Sequence, residues 1–261
     1  MARAWADCPA ASISIQAVAR LSGGTTCRRM VISRSSSALQ RRVVARVACH
    51  CPRLSRTHIL SGNDAEGYAR ADELITLAQE KGAAMWGGLG AAGKGCLFIV
   101  TGKPADAVET ITSGIAAYRL TGASAWMSFF LLNLAEGHAK LGRFEDAWRS
   151  IAEAVSTMKT SKEVWCEAEV NRIAGEIALK SPQPDTAKAE AHFERALAVA
   201  RQQQAKSWEL RAAVSMARFW RDQGKPQQGR EMLAPVYGWF TEGFDTLDLK
   251  EAKALLGELH A

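Results

Sequence analysis

The 261-residue sequence predicts an all-α fold: an α-solenoid of about five helix pairs, closed by a C-terminal capping helix. Three observations predict it. Gly62, Gly102, Gly142, Pro184 and Gly224 stand at helix boundaries with spacings of 40, 40, 42 and 40 residues. Five residues after each marker comes a small residue (Gly67, Ala107, Ala147, Ala189, Gly229), and nine after it comes Ala71, Ile111, Ile151, Phe193 or Leu233. On the intervening helices Trp86, Trp126, Trp165 and Trp208 recur at 40, 39 and 43, and Gly95, Ala135, Ala174 and Ala217 recur at the same intervals. A fixed period of this length marks a repeat array, in which small residues let backbones approach and large apolar ones fill the gaps between neighbours.

The first helix, 64–81, places Gly67 and Ala71 one turn apart on one face. The second, 83–101, carries Trp86 and Gly95, and five glycines from Gly87 to Gly95 each disfavour helix by about 1 kcal/mol relative to Ala. It is therefore expected to be the softest helix, with breaks at Gly82, Gly87, Gly88 and Gly90. Gly102-Lys103-Pro104 ends it and opens the third, 104–120, because Gly suits a helix end and Pro a helix start. The fourth, 123–141, runs from Trp126 past Ala135, and the fifth, 143–158, repeats the small and large positions at Ala147 and Ile151. The sixth and seventh, 162–180 and 185–203, do so around Trp165, Ala174, Ala189 and Phe193. The eighth, 205–223, carries Trp208 and Ala217 and ends at a second Gly-Lys-Pro, which opens the ninth, 226–240. In the turn from Thr241 to Thr246, Gly243 is free to take positive φ, and Asp245 or Thr246 caps the tenth helix, 246–259. That helix aligns Ala252, Leu255, Leu256 and Leu259 in one apolar stripe, with Leu249 a turn earlier, to cover the end of the array with Trp239, Phe240 and Phe244.

Charge divides the chain near residue 60. The head holds ten arginines, no lysine and a single acid, Asp7, while the remainder has three more acids than bases. The overall +6 therefore belongs to the head. The head also holds Cys8, Cys27, Cys49 and Cys51 beside the run SRSSS, and three readings compete for it: a transit-type leader, a Cys49-His50-Cys51 metal cluster, or a disordered or mis-started extension. The zinc spacings are missing and the head has no place in the 40-residue register, so residues 1–58 are read as a disordered or spurious extension and 59–261 as the repeat domain. Cys96 and Cys166 lie singly in helical patterns, which gives no disulfide framework and fits a reducing cytoplasm. No run of 18 apolar residues is present, so no membrane partner is expected.

Candidate chemistry is sparse. GGLGAAGKGC (87–96) satisfies G-x-G-x-x-G and most of G-x-x-x-x-G-K, with Lys94 in the lysine position. A phosphate loop needs a strand before it and a hydroxyl after the lysine, whereas here AAMW precedes and Gly95 follows. The repeat reading therefore outweighs nucleotide binding, which stays as the alternative, a nucleotide-binding or enzymatic fragment. His138 falls at a helix-pair contact, His192 and His260 lack ligand partners at metal spacing, and Glu163, Glu167 and Glu169 read as a solvated face. Glu242, Asp245 and Asp248 do not fit a calcium loop. No catalytic residue, cofactor or metal is assigned, and nucleic acid is disfavoured by the acidic repeat region.

The pattern LAEGHAKLGRFEDAWRSIAEAV, with Ala135, His138, Leu141-Gly142, Ala147, Ile151 and Ala154, resembles a tetratricopeptide repeat, as does AHFERALAVA in the fourth unit. The resemblance covers about 200 residues, and the period exceeds that family's 34 by about six, which implies longer helices. In that family the first helix of each pair lines a concave surface. The resemblance thus assigns to a protein-binding groove Asn171, Arg211, Arg218 and Arg221, with Glu136 and Lys140, the arginines clamping carboxylates of a peptide or neighbouring domain. The ending SWELRAAVSMARFWRDQGKPQQGREMLAPVYGWFTEGFDTLDLKEAKALLGEL resembles the C-terminal region of bacterial multidomain adenylate/guanylate cyclases, in which a class III cyclase domain and an ATPase module precede a tetratricopeptide region. The likeness extends back through WCEAEVNRIAGEIAL and ITSGIAAYR to about Ile59. It implies a non-catalytic signalling scaffold from a truncated gene, whose partner is a protein, a peptide or a cyclase/ATPase domain normally in the same chain.

Overall fold

The computed structural model describes residues 64–259. Among them are ten helices and no strand: α1 Asp64–Glu80, α2 Ala84–Val100, α3 Pro104–Leu120, α4 Met127–Lys140, α5 Phe144–Ser161, α6 Glu167–Lys180, α7 Thr186–Gln202, α8 Lys206–Asp222, α9 Pro226–Gly238 and α10 Leu247–Glu258. The sequence expectations for the head, for Cys49-His50-Cys51, for Gly62 and for His260 lie outside the described residues.

Each helix packs on the next, and the most extensive packing joins α2 to α3, α6 to α7 and α4 to α5. The even-numbered helices α2, α4, α6, α8 and α10 also pack on one another in a row, while the odd-numbered helices form no comparable row. The closer row lies on the inside of a curved stack, so the even helices form the inner, concave layer and the odd ones the outer layer. The repeat positions supply the seams. Ala135, Ala174 and Ala217 are at most 1% exposed, and opposite them Ala107, Ala147, Ala189, Ile111, Phe193 and Leu233 are fully buried. Two large apolar cores result, one running from α2 to α6 and one from α6 to α10, and a smaller cluster joins Ala168, Val199, Ala200, Ala205 and Trp208.

The turns explain the boundaries. Gly142 and Gly224 adopt left-handed φ of 73° and 75°, and the residues after them donate back into the helix, Arg143 N–H to the His138 carbonyl at 2.9 Å and Lys225 N–H to the Trp220 carbonyl at 2.8 Å. This geometry ends a helix within one residue. At the other edge of the array Gly82 and Gly122 take φ of 61° and 75°, and larger residues share the work. Trp126, at the N-cap of α4, and Lys162, at the C-cap of α5, take φ of 66° and 62°, and α4 and α6 begin at 127 and 167, four and five residues later than their patterns predict. The early segments are instead turns, in which the Trp126 ring packs edge-on against Trp165 at 5.0 Å and the Trp126 N–H donates to the Glu163 carboxylate at 3.2 Å.

One expectation is overturned. α2 is continuous through Gly87, Gly88 and Gly90, and only Gly82 lies in a break. The reason is packing. A Cβ on Gly88 would stand 2.7 Å from the Tyr118 nitrogen, and one on Gly95 would stand 2.5 Å from Ile111, so the missing side chains are what let α2 and α3 lie so close. The propensity deficit of about 1 kcal/mol per glycine is offset by the close contacts that Gly88 and Gly95 permit.

The C-terminal end follows its prediction in part. Gly243 takes φ of 77°, Thr246 stands at the N-cap of α10, and Leu249, Ala252, Leu255 and Leu259 are buried against the second core. The Thr246 hydroxyl, however, donates to the Gly243 carbonyl at 2.7 Å and caps no α10 N–H. Of the aromatic cover only Phe240 is buried, whereas Trp239 is 52% exposed.

Candidate protein-binding groove

The inner row carries a cleft of about 240 Å³ that crosses α4, α6, α8 and α10. Its floor is apolar, from Ile173, Ile177 and Val214, and its walls are charged. Glu136 and Lys140 come from α4, Arg172, Glu176 and Lys180 from α6, Arg211, Ser215 and Arg218 from α8, and Asp248 and Glu251 from α10. Helical spacing puts them there: Arg172, Glu176 and Lys180 stand four apart on α6, as do Arg211 and Ser215 on α8, so each set shares one face.

Beneath the cleft lies a buried ionic network. Glu169, 3% exposed, accepts two bonds from Arg172, at 2.9 Å from Nε and 2.8 Å from Nη2, and is 3.0 Å from Nη2 of Arg211. Arg172 also donates to Ser215 Oγ at 3.3 Å, Ser215 donates to Glu176 at 2.9 Å, and Lys180 holds the other Glu176 oxygen at 2.9 Å. Burial acts most strongly on Arg172 and disfavours its charge, yet the field and hydrogen bonds of Glu169, with Glu136 and Glu176, outweigh it and raise its pKa. Burial likewise disfavours the Glu176 carboxylate, but Lys180, Arg172 and Ser215 hold its pKa below the usual carboxylate range. A charge network satisfied in this way fixes the register of α6 against α8.

Of the six residues expected in the groove, four line the cleft and two do not. Arg211 and Arg218 line it, as do Glu136 and Lys140. Asn171 does not: its Nδ2 donates to the Glu167 carbonyl at 2.9 Å and its Oδ1 meets His192 Nδ1 at 3.3 Å, toward α7. Arg221 sits past the end of the cleft, paired with Asp222 at 2.9 Å and with Glu258 of α10. The arginines are moreover not free clamps, since Arg218 is bound to Glu251 at 2.6 Å and Arg211 to Glu169. The solvated-face reading of the acidic run is corrected too. Glu169 is buried, Glu167 is bound to Arg195 at 2.6 Å, and burial raises the pKa of Glu163, partly countered by its bond from Trp126.

Sequence reasoning missed Arg172, Glu176 and Ser215, and took Glu169 only as part of the solvated acidic run. A signal for them exists: two residues before the small positions Ala135, Ala174 and Ala217 stand Asn133, Arg172 and Ser215, a polar column in the middle of apolar helices, and all three are buried.

The remaining candidates have structural surroundings. Lys94 lies inside α2 and pairs with Asp72 at 2.6 Å, which places no strand or loop before it for a phosphate. His138 is half-buried and packed, and burial lowers its pKa; burial followed by Lys188 does the same at His192. Among the described residues no three His, Cys, Asp or Glu gather as metal ligands, and no helix is long and apolar enough to cross a membrane.

The fold and its groove define an all-α solenoid of tetratricopeptide type. A point variant of a Podosopora anserina protein described as a kinesin light chain with nearly identical TPR-like repeats superposes with a TM-score of 0.50 at 15% identity, covering 72% of this chain and 95% of that one. A second structure of that protein gives a TM-score of 0.48 at 13% identity over 79% of this chain and 93% of that one. The model for the family described as anaphase-promoting complex subunit 5 matches residues 33–85 and 105–171, together less than half of the chain. No curated protein matches it in sequence.

Proposed function

We propose that the chain is a non-catalytic scaffold that holds a segment of a protein partner in the inner groove. The observation that carries this reading is the continuity of the cleft across four successive inner helices, with an apolar floor and charged walls. Such a surface suits an extended or helical peptide, whose apolar side chains lie on the floor while its polar ones meet the walls. A photo-crosslinking residue at Arg218, on the inner row, should form a partner adduct in cells, and the same residue at the exposed Glu194 of α7 should not. Equal adducts at both positions, or none at Arg218, would refute the groove reading.

Residues 59–261 form the repeat domain in this proposal, and residues 1–58 are dispensable to it. The likeness of the last fifty residues to bacterial adenylate/guanylate cyclases supports a cytoplasmic signalling role, with a class III cyclase or ATPase domain as the partner. The partner crosslinked at Arg218 should then be a cyclase or ATPase domain, and an unrelated partner counts against it. The purified chain is expected to neither hydrolyse ATP nor make cyclic nucleotide. Saturable ATP binding lost on Lys94→Ala would instead favour the nucleotide-binding alternative.

A further inference from the structure

The signs of the groove's charges constrain what it takes. Each cation that lines it has an acid within 4 Å: Lys140 with Glu136 at 3.1 Å, Arg172 and Arg211 with Glu169, Lys180 with Glu176 at 2.9 Å, and Arg218 with Glu251 at 2.6 Å. The Arg218–Glu251 pair spans two helices, Arg211 reaches from α8 to α6, and the rest lie along one helix, so the signs alternate along α4 and α6 while the cations of α8 face the acids of α10. We propose that the occupant is an amphipathic segment of mixed charge, with acidic and basic side chains interleaved and little net charge, and not the acidic peptide that the arginines alone would suggest. This rests on the groove reading above.

The argument is one of exchange. A carboxylate that approaches Arg218 must displace Glu251, and an all-acidic segment then leaves Glu251 facing further negative charge with no cation to take. The same holds with signs reversed for an all-basic segment. A mixed segment offers a base to Glu251 as its acid takes Arg218, so every displaced partner finds a new one and no charge is left unpaired at the apolar floor. Rejection of uniformly charged chains is thus built into the walls as repulsion, and exposed pairs such as Arg218–Glu251 are weak enough to open. Net neutrality also removes long-range steering, so binding should weaken little with added salt.

The test uses the full chain and three fluorescent synthetic peptides of equal length on a shared leucine pattern: one with alternating Glu and Lys, one with every Lys made Glu, and one with every Glu made Lys. Fluorescence anisotropy should show the mixed peptide bound about tenfold more tightly than either uniform one. Glu251→Arg, at a half-exposed position on α10, should shift the preference toward the acidic peptide, and Arg218→Glu with Glu251→Arg should return it to the mixed one, with circular dichroism showing each variant folded. Native chain that holds the acidic peptide as tightly as the mixed one overturns the inference and leaves the groove reading standing. Failure of all three peptides to bind, whatever their charge, overturns the groove reading itself.

Discussion

Glu169 is the most consequential single side chain in the array, and its removal has a calculable cost. It is 3% exposed and is the acid on which both Arg172 and Arg211 converge, at 2.8 Å and 3.0 Å. Glu169→Ala leaves the Arg172 guanidinium, 9% exposed, with Glu176 at 3.8 Å and Ser215 at 3.3 Å as its nearest partners. Breaking a buried pair by deleting one partner costs about 3–5 kcal/mol. At about 2–4 °C per kcal/mol for an array of this size, the midpoint should fall by roughly 6–20 °C. Thermal unfolding followed by circular dichroism checks this, and amide exchange should locate the loss at α6 and α8, because repeat arrays lose stability locally. Replacing the more buried pair, Glu169→Leu with Arg172→Met, should recover part of the loss, since apolar pairs of similar volume are often neutral or better at buried sites, while Arg211 keeps Asp248 at 4.0 Å. A Glu169→Ala variant that melts within about 2 °C of the native chain would refute the reasoning, because that is about 1 kcal/mol at most on the same scale.

Two glycines of one helix should respond with opposite sign. Gly88→Ala drives a Cβ to 2.7 Å from the Tyr118 backbone nitrogen, and overpacking against backbone should cost about 1–3 kcal/mol in a denaturant titration. Gly87→Ala meets only the Ala78 side chain at 3.7 Å, so the helix propensity of Ala should win and stabilise by roughly 0.5–1 kcal/mol. Burial lowers the pKa of His138 and of His192, so the unfolded chain binds protons first; stability should fall as pH drops below about 6.5. His138→Gln with His192→Gln should flatten that slope in melts between pH 7 and pH 5. Glu163 has the opposite sense: burial raises its pKa, so its contribution to stability declines as pH rises above the ordinary carboxylate value. Glu163→Gln keeps an acceptor for the Trp126 N–H and should raise the midpoint at pH 7, whereas a lowered midpoint would show that the carboxylate charge itself is needed.

Much of the fold is legible in the chain because the repeat carries its own check. A small residue at Ala135, Ala174 and Ala217 signifies little alone, but at intervals near 40, with Ala147, Ala189 and Gly229 also recurring near 40 opposite, it specifies two helices meeting at a seam. Helix type, order and most boundaries follow from that periodicity and from turns such as Gly142 and Gly224, since both depend on residues close in sequence. Three matters were settled only by tertiary contact. Gly88 reads locally as a break and is a spacer, because the Tyr118 backbone that needs its missing Cβ is thirty residues away. Glu169 reads as one of a solvated acidic run and is buried, because α8 brings Arg211 across to it. Asn171 and Arg221 read as groove residues alongside Arg211 and Arg218, and the rotation of α6 and the length of α8 carry them out of the cleft. Periodicity encodes which face of a helix is apolar. Which charges on the other face meet one another depends on the angle between helices, and no single helix carries that angle in its sequence.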